Sequence, residues 1–432
     1  MKTIRFHIII AALMLVPKAQ AQQAEENGKF TLAKCIEMAL QHNAQLKNAR
    51  LDMEMAEAEK KNAFTNFFPQ VNAMGGGFVG AKDIMRGEMA IPQMGAMPLS
   101  MIKKGVLATL TALQPLYTGG QVINGNRLAE LQQEVRRLEY DMTRKDVIQN
   151  VHNYYWKIIS LRSNISTLDA VDKQLNEVHS LAQQFVEAGV TNRNDLLRIE
   201  INQQEVASQR LKLNNGIEVL RLLLAQLCGA DMLTFDIQSQ NILDPAVPET
   251  YFIPTEMALA NREETKLLSK SVTANALQVK MERGKNLPTV SVGATALYYN
   301  MMEKNQGNII GLATVSVPLS GWWGGSHQIN KAKLALEQSR NTQRDSQEKL
   351  QIEILTTWNA VQESYAQIEI ARRSVVQANE NLRLNRDQYD AGTQDVSEFL
   401  DAVTLFAKSH NALTSACADY QSCIADYQRK TR

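Results

Sequence analysis

Proline is scarce where it would do most: the chain of 432 residues has ten, none between Pro115 and Pro245 and none after Pro318. Residues 126–188 and 326–391 lack glycine as well. Nothing in either stretch breaks a helix, and at about 1.5 Å per residue each predicts a rod of ~95–100 Å. Such length exceeds an ordinary globular helix and points to helices packed side by side. An excess of one charge is also missing. The 46 basic and 45 acidic residues leave a net charge of +1, which argues against a nucleic-acid partner. Cysteine is rare: Cys35, Cys228, Cys417 and Cys423 are scattered and do not read as a disulfide framework. Cys417 and Cys423, six apart on a predicted helix, diverge, whereas a Cys35–Cys228 bridge stays open. After residue 21 no apolar run reaches the ~18 residues of a membrane helix, so no helical anchor is expected.

Catalytic patterns are absent too. The six histidines are dispersed with no H-E-x-x-H, and "GGGFVG" lacks the G-K-[ST] ending of a phosphate loop. Ser326 beside His327 is adjacency, not triad geometry. His152, His179 and His410 read as helix-surface or packing residues. No enzymatic activity, cofactor or resident metal is expected. Met74, Met85, Met89, Met94, Met97 and Met101 crowd one region. Thioethers suit Cu(I), but methionine also fills irregular apolar gaps, and no metal site is assigned.

What is present begins at the N-terminus. Lys2 and Arg5 precede an apolar run from Phe6 to Val16, and Ala19-Gln20-Ala21 supplies a small-x-small cleavage site. Residues 1–21 are read as a secretory signal peptide. No cysteine follows the cut, so no lipid attachment is expected there.

The remainder is written twice. "MALQHN" at 38 returns as "MALANR" at 257, and "FFPQV" at 67 as "NLPTV" at 286, both 219 residues on. "LQPLYTGG" around Pro115 returns as "VSVPLSGWWGG" around Pro318, 203 residues on. "EAGVTNRNDLL" at 187 returns as "DAGTQDVSEFL" at 390, again with an offset of 203. The difference of 16 is read as extra loop between Pro69 and Pro115. The first repeat, 22–229, holds a helix, strands at 70–80 and 105–115, a long helix at 121–188 and a return helix at 193–228. A connector at 230–254 follows. The second repeat, 255–432, holds a helix, strands at 289–299 and 308–318, a long helix at 326–391 and a return helix at 395–430.

Apolar spacing of three and four supports the coiled-coil reading. The seam runs through Val151, Tyr154, Ile158, Leu161, Ile165, Leu168, Leu175, Val178 and Phe185, and through Leu355, Trp358, Val361, Tyr365, Ile368, Val375, Leu382 and Tyr389. Three strand segments alternate instead, with 70–80 a weaker fourth, as transmembrane strands do, although a small soluble β-domain has the same period. Phe67, Phe68, Tyr117, Trp322 and Trp323 fall at one end of the two hairpins, as an interfacial aromatic girdle would. Four strands cannot close a barrel, so several chains would have to complete one.

The segments "FTLAKCIEMALQHNAQL", "FPQV"/"LPTV" and "PLYTGG"/"PLSGWWGG", with the two Ala-Gly breaks, resemble the TolC-like outer-membrane efflux proteins of Gram-negative bacteria. The resemblance spans nearly the whole chain after residue 21. It implies a mainly α fold with a β-barrel part: a homotrimer in which four strands per protomer make a twelve-stranded outer-membrane barrel above a periplasmic α-barrel. The implied function is that of a passive exit duct, working with a periplasmic adaptor and an inner-membrane pump and in contact with outer-membrane lipid. A duct for type I protein secretion is the alternative within the class, and a soluble periplasmic coiled-coil scaffold the alternative outside it. On this resemblance the Ala-Gly breaks are hairpins at the periplasmic tip. Gly189 and Gly392 take the left-handed conformation, and Thr191 or Asn192 and Asp395 or Ser397 cap the returning helices. Gly189, Val190, Gly392 and Thr393 correspond to the adaptor-docking tip. Tyr389, with Asn194 and Asp195, corresponds to the gate. The family's arginine two residues after the second glycine is Gln394 here, with Arg193 on the other hairpin as its possible substitute. Glu398 and Asp401 match a pair of lumen-facing carboxylates; as ordinary residues they would be helix N-terminal acids.

Overall fold

The chain runs through β1 (Lys29–Phe30), α1 (Leu32–His42), α2 (Ala44–Thr65), β2 (Gln70–Val79), β3 (Met85–Ile91), β4 (Gly95–Ile102), β5 (Lys104–Thr118), α3 (Gln121–Glu187) and α4 (Arg193–Cys228). A connector with β6 (Asp236–Ile237) and a 3-10 turn at Pro248–Tyr251 leads to α5 (Thr255–Asn261) and α6 (Glu263–Gly284). Then come β7 (Thr289–Asn300), β8 (Asn305–Ser316), α7 (Gly321–Asp390) and α8 (Val396–Thr431). The structure, a computed structural model, describes residues 29–82, 85–91, 95–300, 305–319 and 321–432, with side chains except at 85–91, 95–102 and 322. The expected signal peptide lies outside the described residues. The long helices α3 and α7 have 67 and 70 residues. Helix α7 starts at Gly321, ahead of the glycine-free stretch, and so takes in Gly324 and Gly325.

Two compact units emerge, and each draws on both repeats. One comprises Arg50–Glu139 and Glu263–Glu348. It holds a four-stranded antiparallel sheet in the order β2-β5-β7-β8, so the two hairpins meet along β5 and β7. The register fixes what each face carries. Val71 pairs with Ala112, Ala112 with Ala294, and Ala294 with Gly311. Two residues along, Ala73, Leu110, Ala296 and Ile309 form the next row of the same face. This face is apolar or small across all four strands. The opposite face mixes in Asn72, Thr111, Thr295 and Asn308, and the Thr111 and Thr295 hydroxyls hydrogen-bond at 3.1 Å. Pro115 cannot donate to a ladder, and the strand bulges between Pro115 and Tyr117, which places Tyr117 opposite Val290. The 16 extra residues, expected as loop, are instead mostly the hairpin β3–β4, with Met89 opposite Met97. Short strands rich in methionine and small residues give no clear alternation, which is why this hairpin reads as loop.

The other unit contains the chain up to Ala49, Tyr140–Arg262 and Lys349–Arg432. Its core gathers Tyr155 from α3, Val361 from α7, and Tyr420 and Tyr427 from α8, with Phe235 and Ile237 of the connector. The tyrosine hydroxyls are buried and need partners. Tyr155 donates to the Gln238 carbonyl at 2.9 Å, Tyr420 to that of Ala246 at 2.6 Å, and Tyr427 to that of Ile253 at 3.1 Å. The connector is thus tied along its length to the helices. Strand β1 pairs in parallel with β6. One seam residue differs: Leu355 is 46% exposed, and its neighbour Ile354 is buried in its place. A one-residue step on a helix turns a side chain by about 100°, which the spacing pattern could not resolve.

Each repeat's first helix is broken once, without proline or glycine. Asn43 breaks the first, and its side-chain oxygen accepts from the Leu46 N–H at 3.1 Å. Arg262, 219 residues on, breaks the second; it is 3% exposed and donates to Glu353 at 2.8 Å. The same kink is held by a neutral cap in one copy and by a buried arginine paired with a partly exposed glutamate in the other.

Candidate functional site

The two helical turns share their helix-ending backbone hydrogen bonds and their cap. Gly189 has φ +73° and Gly392 φ +69°, a region L-residues avoid. Gly189 N–H reaches Val186 O at 3.1 Å and Val190 N–H reaches Phe185 O at 2.8 Å. At the offset of 203, Gly392 N–H reaches Tyr389 O at 2.9 Å and Thr393 N–H reaches Gln388 O at 3.0 Å. Both are Schellman endings, which satisfy the last carbonyls of α3 and α7. The caps correspond as well. Asn192 accepts from Asn194 N–H at 2.8 Å and Asp395 from Ser397 N–H at 2.9 Å. Asn192 and Asp395, not Thr191 and Ser397, are therefore the capping residues. The hydrogen bonds from the Ser397 N–H and hydroxyl hold the Asp395 carboxyl below the usual carboxylate range.

Beneath the turns lies a core of Leu175, Val178, Leu382, Val396, Phe399 and Val403. Tyr389 belongs to it, with its ring between Phe185 and Phe399 at centroid distances of 6.1 and 6.0 Å. Its hydroxyl is buried and has no hydrogen-bond partner among the described residues, nor has the side-chain oxygen of Gln394. Burial first, then the nearby Asp195, Asp390 and Asp395, push the Tyr389 phenol up to about 12. It is a neutral donor at any physiological pH. Asn194 stays exposed, and Asp195 accepts from the Thr191 hydroxyl, so within one chain neither residue bonds to Tyr389. Gln394 donates to Asn385. Arg193, Val190 and Thr393 are exposed.

Two cross-links near the turns have no signature in sequence spacing. Arg198 of α4 bonds to Ser397 of α8. Arg386 of α7 reaches α3 through Gln174 at 2.6 Å and Glu177 at 2.7 Å. On helices crowded with exposed charge, nothing in the sequence distinguishes these arginines from the others. Glu398 and Asp401 are exposed on the first turns of α8, while Phe399, Leu400, Ala402 and Val403 between and beside them are buried. The two carboxylates share the open side of the helix, as their spacing of three requires.

At the strand end where the helices join the sheet, Phe67, Phe68, Tyr117 and Trp323 are 38%, 51%, 46% and 82% exposed. The side chain of Trp322 lies outside the described residues. Phe64, in the last turn of α2, joins them with its ring 5.6 Å from Phe67 and 5.5 Å from Phe68. Sequence reading missed it because it sits on a helix rather than at a strand end. No residue of the four strands is buried, and Val71, Val79, Ile309 and Val315 are each more than 60% exposed. No described helix is long and apolar enough to cross a membrane, and among the described residues no three His, Cys, Asp or Glu side chains cluster as a metal site would require.

The family model described as outer membrane efflux protein matches residues 35–230 and 255–423, leaving out only the connector and the chain ends. Among solved structures, the CmeC outer membrane channel of Campylobacter jejuni aligns with a TM-score of 0.76 at 18% identity, over 93% of this chain and 85% of that one. The outer membrane protein VceC of Vibrio cholerae gives 0.76 at 17% identity, over 93% and 96% of the two chains. The MtrE outer membrane channel of Neisseria gonorrhoeae, in its open state, gives 0.73 at 16% identity, over 93% and 88%. At these identities the likeness is one of fold. No curated protein matches the sequence.

Proposed function

This chain belongs to the outer membrane efflux protein family, and we propose that it is the exit duct of a tripartite efflux system. It works as a homotrimer that passively conducts substrates delivered by an inner-membrane pump through a periplasmic adaptor. The observation that carries this reading is the sheet. Four strands expose a face that is apolar or small in its middle rows, from Val71–Ala112–Ala294–Gly311 to Ala73–Leu110–Ala296–Ile309, and among the described residues β2 and β8 have no outer neighbours. In lipid an open edge leaves backbone groups unsatisfied at several kcal/mol each, so the edges must be paired by other copies. Three copies make twelve strands, with the apolar face toward lipid and the face of Thr111 and Thr295 toward water.

The helices then descend into the periplasm and the twin turns form the tip. Val190 and Thr393, beside Gly189 and Gly392, present the docking surface. The gate is formed by Tyr389, Asn194, Asp195, Gln394 and Arg193, with Glu398 and Asp401 lining the constriction. Two buried atoms without partners, on Tyr389 and Gln394, support a turn poised to rearrange. Each costs about 1–3 kcal/mol that a new hydrogen bond would recover. The purified protein, reconstituted in planar bilayers, is expected to form ion-conducting pores and to fractionate with outer membranes in cells. Recovery as a soluble periplasmic protein without conductance would overturn the duct in favour of a scaffold.

A further inference from the structure

Cys35 and Cys228 meet at the contact between the N-terminal helix and the end of α4. Both are completely buried, and the Cys228 thiol donates to the Cys35 carbonyl oxygen at 3.4 Å. The two helices are pressed together here. Residue 229 is a glycine at φ +64°, and a Cβ on it would sit 2.4 Å from the Cβ of His42. The short parallel pair β1–β6 closes the same junction, with Phe30 stacked on Phe235 at 5.3 Å. Cys417 and Cys423 lie on one helix and face away from each other. The structure thus contains one pair of cysteines set side by side, in different parts of the sequence and free as thiols.

We propose that Cys35 and Cys228 are joined by a disulfide in the exported protein, made while the chain folds. The proposal rests on the reading of the chain as an outer-membrane protein, which folds outside the reducing cytoplasm. The oxidant is a thiol–disulfide oxidoreductase carrying a reactive disulfide. A thiolate of this chain attacks that disulfide to give a mixed disulfide and releases one oxidoreductase thiol. The second cysteine then displaces the other, so one S–S bond forms in the substrate, one is lost in the oxidoreductase, and two electrons and two protons pass to it. The timing follows from burial. The hydrogen bond with the Cys228 thiol, then desolvation, raise the Cys35 thiol far above its ordinary range, so the closed junction supplies no thiolate. Exchange therefore precedes closure, and the finished bond is out of reach of reductants. It is a structural clasp between residues 193 apart in the chain, fixing the start of the first repeat to the end of its return helix.

The test is a thiol count on protein extracted from outer membranes without reductant and alkylated as it is denatured, followed by peptide mapping. The expected result is a linked pair of peptides containing Cys35 and Cys228, with alkylation confined to Cys417 and Cys423 until reductant is added. A C35A variant should leave Cys228 alkylated, and the folded wild type should keep the link in dithiothreitol until it is unfolded. Four alkylated cysteines in outer-membrane protein would overturn the clasp while leaving the duct intact, and so would loss of the link in the folded state. If the chain is recovered elsewhere in the cell, it is the duct reading that fails. Refolding in a glutathione redox buffer then decides the clasp by the same count: a linked pair supports it and four free thiols overturn it.

Discussion

Glu398 and Asp401 have no ion-pair partner among the described residues, although arginines pair with acids throughout the surrounding helices. An acid in the first turn of a helix gains from the dipole, which explains Glu398 alone. In a trimer the pair would form two rings of three negative charges on the open side of α8. Replacing them as E398Q/D401N should lower cation selectivity and weaken block by multivalent cations in bilayer recordings, with trimer yield unchanged because both side chains are exposed. An unchanged reversal potential would remove them from the constriction. Legibility at this scale was uneven. Gly189 and Gly392 stand out in sequence because the Ala-Gly breaks repeat, whereas the acid pair comes only from the family resemblance, and Gly119, Gly120 and Gly229, also at positive φ, do not stand out. That the Tyr389 hydroxyl is unpartnered and that Arg386 reaches across to Glu177 depend on which helix lies alongside, and no local pattern encodes that.

At the scale of the element, the proposed docking surface is the pair of twin turns. V190E and T393E should abolish drug export in a susceptibility assay while trimers accumulate normally. Val190 is 65% exposed, and exposed substitutions usually shift stability by less than about 0.5 kcal/mol. Thr393 loses only a bond from its hydroxyl to the Gln388 carbonyl, 2.9 Å long. Gly392→Ala isolates the backbone: open space surrounds its Cβ position, so its cost is the left-handed conformation alone, about 1–2 kcal/mol, read as a fall in thermal stability. Preserved export in both glutamate variants would count against docking at the tip. The ends of α3 and α7 were legible at Gly189 and Gly392, but the start of α7 was not, since Gly324 and Gly325 lie inside it. The kinks at Asn43 and Arg262 were not, since an Asx cap and a buried arginine leave no breaker in the sequence. Nor was the β1–β6 pair, only two residues long.

For the whole molecule the deciding quantity is the number of chains per particle. The two open edges, β2 and β8, lie at the outer limits of the sheet, and the apolar rows reach both of them. Light scattering of the detergent-solubilised protein should give three chains and no stable folded monomer. A well-folded monomer would contradict the shared barrel. The two compact units, each drawn from both repeats, were not evident from the duplication, because a tandem repeat in sequence says nothing about which halves fold together.

The paired offsets also determine where this chain can change length. The offset is 203 from the sheet exit to the turn, and all 16 surplus residues fall between β2 and β5, where the β3–β4 hairpin sits. For an engineer the consequence is asymmetric. A tag or reporter grafted between β3 and β4 changes neither the pairing of β2 with β5 nor the match between the turns. Seven residues added to α3 alone would carry one turn about 10 Å past its twin. Insertions in the long helices can therefore be accepted only in matched pairs.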